Sequence, residues 1–284
     1  MKDELFSMYE YPSMIKSAAF CAALFAFLSV VLKTSFVLIP EVSEVRVCNI
    51  IACSCSIWFG PAGAWGCAVG NLIGDLGGSL TILSVFGFLG NFFSAWLPYK
   101  VWTVWGSVIG EDPLERPSLQ SKNWLIRYLV GGFCSVVSCS ALLAVTFDCS
   151  GDMAAVNSFA MVFLNNAGAT IVGIALFVLM CRLPENVLRY WRSQMRQERD
   201  LVFPAAHKGK IRLVVGLSAA VTVFVAVYML LRGIGLTVHD DLFQPLPLAV
   251  CVGYTIAQAV LTALCRWRRA ERTEIAEVKE ILLD

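Results

Sequence analysis

Residues 45–76 read VRVCNIIACSCSIWFGPAGAWGCAVGNLIGDL, an almost unbroken apolar run divided only by Gly60-Pro61. Proline has no N–H to donate into the helix it enters, so it starts one helix well and ends the one before it. The run therefore predicts two short membrane spans, 45–59 and 61–76, with a tight turn between them. Reading it as one long helix would invert every segment upstream and leave Lys2 and Lys16 on the outer face.

Working outward, a span needs ~20 apolar residues to cross a ~30 Å hydrocarbon core. Further spans are predicted at 15–38, 80–103, 124–147, 157–181, 211–231 and 246–265. Hydrophobic residues make up 58% of the 284 and charged residues 15%. A soluble protein keeps roughly a quarter charged, so lipid must solvate much of this surface. The first apolar run is too long for a cleaved signal peptide and is expected to remain as a span. With both termini inside, 19 of the 22 Lys and Arg fall in cytoplasmic segments, leaving Lys33, Arg46 and Arg232 outside. That asymmetry is the positive-inside rule, and all eight tryptophans fall in or just beyond the inner half, as an interfacial belt would.

The fold class expected is an all-α integral protein of the cell membrane with cytoplasmic termini. Residues 1–181 form a six-span bundle and 182–210 a basic cytoplasmic connector. Residues 211–265 form an additional two-span hairpin and 266–284 a charged cytoplasmic tail. In the connector, Leu183, Val187, Tyr190, Trp191 and Met195 predict an amphipathic helix lying on the membrane surface. The net charge of +1 gives no reason to expect nucleic acid as a partner.

Amides and charges inside a bilayer are costly, so their depth is informative. Arg46 and Asn49 open the second span from outside. Asn71 and Asp75, at i and i+4, share a face of the third. Asn91 lies in the fourth span, and Asn165 with Asn166 in the sixth. Any one of these amides is readily explained as interhelical glue. Concentrated in the outer half, the set favours a substrate pocket opening outward over a polar path through the membrane. The acidic loop residues Glu41, Glu44, Asp148 and Asp152 lie above it, and Lys33 can snorkel to the headgroups.

Eleven cysteines sit singly in apolar stretches, as packing residues do; only Cys149 and Cys48 are expected at the outer face. Cys53-x-Cys55 has no histidine nearby to complete a metal site, and no metal or cofactor is expected. No P-loop, HExxH or G-x-S-x-G occurs, so ATP-driven work would need partners and no enzyme is expected. Gly66, Gly70 and Gly74 form a smooth ridge on the third span. Ala18, Ala22 and Ala26, with Ala19 and Ala23 alongside, form a flat stripe on the first, suited to a partner helix.

The run Phe59-Gly60-Pro61-Ala62-Gly63-Ala64-Trp65-Gly66, followed by Gly70-Asn71-Leu72-Ile73-Gly74-Asp75, resembles the F-G-P-x-x-G…G…D signature of S components of energy-coupling-factor (ECF) transporters. Phe86 to Asn91 and Pro98-Tyr99-Lys100 are similar to the fourth span of that family, and Ala18, Ala22 and Ala26 to its A-x-x-x-A motif. The resemblance covers about residues 14–181. It implies a subunit that captures a vitamin or similar small polar micronutrient from the outer face of a bacterial membrane. It also implies an ECF transmembrane coupling subunit, met through the alanine stripe, and two ABC ATPases. Nickel- and cobalt-specific members carry a histidine next to the initiator methionine, where this chain has Lys2. The hairpin at 211–265 departs from the usual six spans. Two alternatives stay open: a self-sufficient secondary transporter, for which Asp75 is the one candidate carboxylate in the core spans, and a membrane scaffold using the basic connector.

Overall fold

The computed structural model describes residues 2–6, 9–31, 37–39, 43–44, 48–76, 80–110, 115–195, 201–202, 207–233, 245–266 and 268–269. Among these residues nine α-helices carry nearly all the regular structure. They are α1 (Lys2–Leu5), α2 (Pro12–Val31), α3 (Asn49–Phe59), α4 (Pro61–Leu76), α5 (Leu83–Val108), α6 (Trp124–Ser150), α7 (Ala155–Arg182), α8 (His207–Gly233) and α9 (Leu246–Leu264). Two small ribbons pair Val37–Ile39 with Ser43–Glu44 and Leu201–Val202 with Arg268–Arg269. Five helices, α2, α6, α7, α8 and α9, are long and apolar enough to cross a membrane. The chain is an all-helical multi-pass membrane protein.

The break expected at Gly60-Pro61 is present: α3 ends at Phe59 and α4 starts at Pro61. Gly60 turns the chain with φ at 58°, and its N–H still reaches the Ser56 carbonyl at 2.8 Å. A positive φ suits glycine. Space demands it too, because a Cβ at residue 60 would stand 2.8 Å from Cγ of Trp191.

At 11 residues, α3 is about 16 Å long, roughly half the hydrocarbon thickness. It does not meet lipid along its length. Every residue from Ile51 to Phe59 is buried, because α2, α4, α5, α6 and α7 surround it. The slim sequence Ala52-Cys53-Ser54-Cys55-Ser56 lets neighbours close in. Ser54 donates to the carbonyl of Gly173 on α7 at 2.9 Å, and a Cβ at residue 173 would lie 2.6 Å from the Ile50 carbonyl.

The glycine ridge of α4 packs in parallel on α2. A Cβ at Gly66 would sit 2.6 Å from the Ala18 carbonyl, and one at Gly70 2.6 Å from the Ala22 carbonyl. Ala22 and Ala26 are 7% and 8% exposed. The two small-residue patterns therefore answer each other within the chain. This corrects the expectation that Ala18, Ala22 and Ala26 form an open docking stripe, since α4 already occupies that face. The exposed face of α2 is instead the neighbouring one, with Ala19, Phe20, Ala23 and Phe27.

Pro98 lies inside α5 and cannot bond the Ser94 carbonyl one turn back. The Ser135 hydroxyl of α6 donates to that carbonyl instead, and the hydroxyls of Ser94 and Ser135 are 2.9 Å apart. Gly131 makes room for the proline, with Pro98 Cα 3.2 Å from where its Cβ would stand.

At the Gly60 end, Trp58, Trp96 and Trp191 fill the core with Met14, Tyr99 and Tyr190. Trp102 is buried nearby against Phe177. Four of the eight tryptophans are thus core residues rather than members of an interfacial belt. Their sequence signal was real, but it marked a densely aromatic end of the bundle.

The connector differs from expectation as well. Leu183 is extended, with ψ at 138°, as a residue before proline prefers, so Pro184 ends the helix. Turns and a short 3₁₀ segment (Arg192–Gln194) follow in place of an amphipathic helix. Val187 points outward, whereas Tyr190, Trp191 and Met195 turn into the core. The Trp191 N–H bonds the Trp58 carbonyl at 3.0 Å, and Gln194 accepts from Ser17 of α2 at 3.0 Å. Cys48 is buried rather than at a surface, while Cys149 is exposed as expected.

Lys100 of α5 is wholly buried and pairs with Glu4 of α1 at 2.5 Å. It also donates to the carbonyl of Cys265, just past α9. Helices α8 and α9 pack on each other and on α5, α6 and α7.

Two outcomes test this packing. Gly70→Ala lowers the thermal midpoint by the equivalent of about 1–3 kcal/mol, the usual cost of overpacking, and Gly168→Ala, where no atom lies within 4 Å, leaves it unchanged. Ser135→Ala destabilises by about 1–2 kcal/mol through the orphaned Ser94 carbonyl. In a Pro98→Ala background, where residue 98 regains its N–H, that loss shrinks, and a double-mutant cycle in detergent reads the difference.

Candidate functional site

The end of the bundle away from Gly60 carries the candidate amides. Asn49 is the first residue of α3, and its Nδ2 donates to Oδ1 of Asn166 on α7 at 2.5 Å. On α4, Asn71 Nδ2 donates to Asp75 Oδ2 at 3.3 Å, one helical turn along. On α5, Asn91 Nδ2 donates to the Gly87 carbonyl at 2.9 Å. Gly87 faces α4, and a Cβ there would lie 3.1 Å from Asn71 Nδ2 and 3.8 Å from Asp75 Oδ2. Gly87 therefore leaves the Asn71 amide its room. No motif singled it out, although it stands in the Phe86-Gly87-Phe88 stretch.

These contacts make two clusters, Asn49 with Asn166 and Asn71 with Asp75, Gly87 and Asn91. No hydrogen bond among the described residues joins the clusters. They nevertheless share one level. Asn49 and Asn71 stand equally far in sequence from the Gly60 turn, and helical rise puts each about 16 Å from it. Asn166 is bonded to Asn49 and Gly87 lies against Asn71, so the other helices meet that level too. The helix between the clusters is α3, which packs against α4, α5 and α7.

Asn71, Asn91 and Asn166 are buried, while Asn49, Asp75 and Asn165 are half-buried. Asn165 and Asn166 are consecutive and so diverge by about 100° around α7; it is Asn166 that meets α3. Its Nδ2 is buried with no hydrogen-bond partner. A buried donor in that state is costly, and it is the group in this layer best placed to receive an acceptor from a guest molecule. Arg46 lies outside the described residues.

Beneath the layer the core turns aromatic. Trp58, Trp96, Tyr99 and Trp191 close the Gly60 end, with Tyr99 and Trp191 edge to face at 5.4 Å. Amides at one level and an aromatic floor at the other thus divide the interior of the bundle.

No curated protein and no solved structure matches the chain. The family described as QueT transporter matches residues 15–182, from the first turn of α2 to the end of α7. That stretch contains the Gly60 turn, the glycine ridge and every described member of the polar layer, and it leaves out α8 and α9. With more than half its length matched, the chain belongs to the QueT transporter family of ECF transporter S components, a family of substrate-binding transport subunits rather than enzymes.

Proposed function

We propose that the chain captures a queuosine precursor from the outer face of the cell membrane and presents it to an ECF module. The family supplies that substrate class. The observation carrying the reading is the amide layer over an aromatic floor, with the buried Asn166 Nδ2 still lacking a partner. Asparagine amides offer donor and acceptor side by side, which matches the edge of a flat nitrogen heterocycle. Arg46, Asn49, Asn71, Asp75, Asn91, Asn165 and Asn166 are the proposed contacts.

Eight spans, six in the bundle and two in the hairpin, with both termini inside, agree with the Lys and Arg distribution. In that orientation the aromatic floor faces the cytoplasm. The floor argues against a secondary transporter, which needs access to its site from both sides. Asp75 is held by Asn71 within the layer.

Coupling to the transmembrane subunit is proposed for the exposed face of α2, where Ala19 and Ala23 continue the small-residue pattern one position from the buried stripe. Helices α8 and α9 pack on α5, α6 and α7.

Isothermal titration of the detergent-solubilised chain with a queuosine precursor tests the site. Asn166→Ala and Asn71→Ala each weaken binding about tenfold, the loss of one ~1.4 kcal/mol contact, with melting temperature little changed. The apolar pair Asn49→Leu with Asn166→Leu separates ligand contact from glue: it retains the fold and loses the ligand, and full affinity in that variant sinks the assignment. Coupling is read by co-purification with the coupling subunit. Ala23→Leu abolishes it and spares substrate binding, whereas Ala22→Leu unfolds the α2–α4 contact and loses both.

A further inference from the structure

Outside the family-matched stretch, the seam between the α8–α9 pair and the bundle carries a second polar group that the transport reading does not use. Gln258 of α9 is 0% exposed, and neither its Nε2 nor its Oε1 has a hydrogen-bond partner. Ser138 of α6 is equally buried, and its hydroxyl is also without a partner.

The packing register brings the two to one level. Tyr254, one turn before Gln258, belongs to one buried cluster with Val137 and Ala141 of α6 and Val221 of α8. Leu261, about a turn after it, packs against the cluster that holds Cys134 of α6 and Val214 of α8. Gln258 therefore lies level with residues 134–138 of α6 and 214–221 of α8. Ser218 belongs to the same group: its hydroxyl is 2.8 Å from the Tyr254 hydroxyl and bonds the Val214 carbonyl. Three helices thus contribute Ser138, Ser218, Tyr254 and Gln258 to one enclosed polar patch among apolar clusters.

We propose that this patch is an internal hydration site, in which ordered water bridges the Gln258 amide and the Ser138 hydroxyl. The chemistry sets the ligand. An amide with both ends free and a free hydroxyl offer donors and acceptors together, and a buried water makes two to four such bonds. Nothing in the patch is charged, so an ion has no counter-charge to meet. Complete burial leaves no route for a partner helix. The water joins α9 to α6 and so fixes the hairpin on the bundle.

Hydroxyl-radical footprinting of the full chain in detergent tests this, because water held inside a protein labels the side chains around it on irradiation. Tyr254 is labelled despite its burial, whereas Tyr128, also buried but set among Cys53, Ile57, Trp102 and Phe177 away from the patch, is not. Gln258→Leu and Ser138→Ala each suppress the Tyr254 label and lower the melting temperature by about 3 °C. Combined, they lower it no further than one alone, because both remove the same bridge. A Tyr254 label no stronger than that of Tyr128 overturns the proposal, and so does a melting temperature that rises in Gln258→Leu, the sign of a dry, unsatisfied amide. Substrate affinity is measured alongside and stays unchanged, which keeps this outcome separate from that of the transport reading.

Discussion

An ammonium group with no access to water sits in α5 at the Gly60 end of the bundle, and three segments outside the family-matched stretch are tied to it. Lys100 bonds Glu4 from the N-terminal helix and the Cys265 carbonyl from the end of α9. Its neighbour Tyr99 donates to the same Glu4 carboxylate at 2.8 Å and meets Trp191 of the connector edge to face. Removing one member of such a buried pair costs about 3–5 kcal/mol, because the other charge is stranded. The pair is therefore better understood as fixing where α1, the connector and α9 meet than as a source of net stability. The Trp96 ring, 5.0 Å from the ammonium, adds an electron-rich face to the cage.

From that anchored end the bundle is built around α3. Surrounding one short helix with five others requires slim side chains, and the Ala-Cys-Ser-Cys-Ser run supplies them. The same economy governs the α2–α4 contact, where glycines of one helix lie against the backbone of the other. Close backbone approach leaves the bulky side chains to the two ends. Aromatic groups collect at the Gly60 turn and amides at the opposite level.

Much of this was legible in the sequence. Gly60-Pro61 announces the turn, the helices fall close to the expected spans, and the amides stand out as candidates by their depth in those spans. What failed were assignments of side to side. Ala18, Ala22 and Ala26 look the same whether they meet a partner or the chain's own Gly66, Gly70 and Gly74, and hydropathy holds no information about which. Tryptophans near a membrane boundary read alike whether they face headgroups or fill a core. Lys100 was counted as a topology marker when its charge is buried on Glu4. The connector misled for another reason: its apolar spacing fits a helix, but Pro184 stops one, and Trp191 gains more by covering Gly60 than by lying on lipid. Asn71 was visible as a candidate, whereas Gly87, which gives it space, carried no chemistry by which to be noticed.

The enclosure of α3 bears on how the protein meets bilayers of different thickness. A lipid-facing helix must match the hydrocarbon depth, tilting or deforming the membrane when it does not. At 11 residues α3 could not meet that demand, and its neighbours release it from doing so. Changes in lipid length therefore strain the outer helices first, while the innermost rod, and the amide it carries at its tip, keep their place. The amide layer is insulated from the mechanics of the membrane in which it sits.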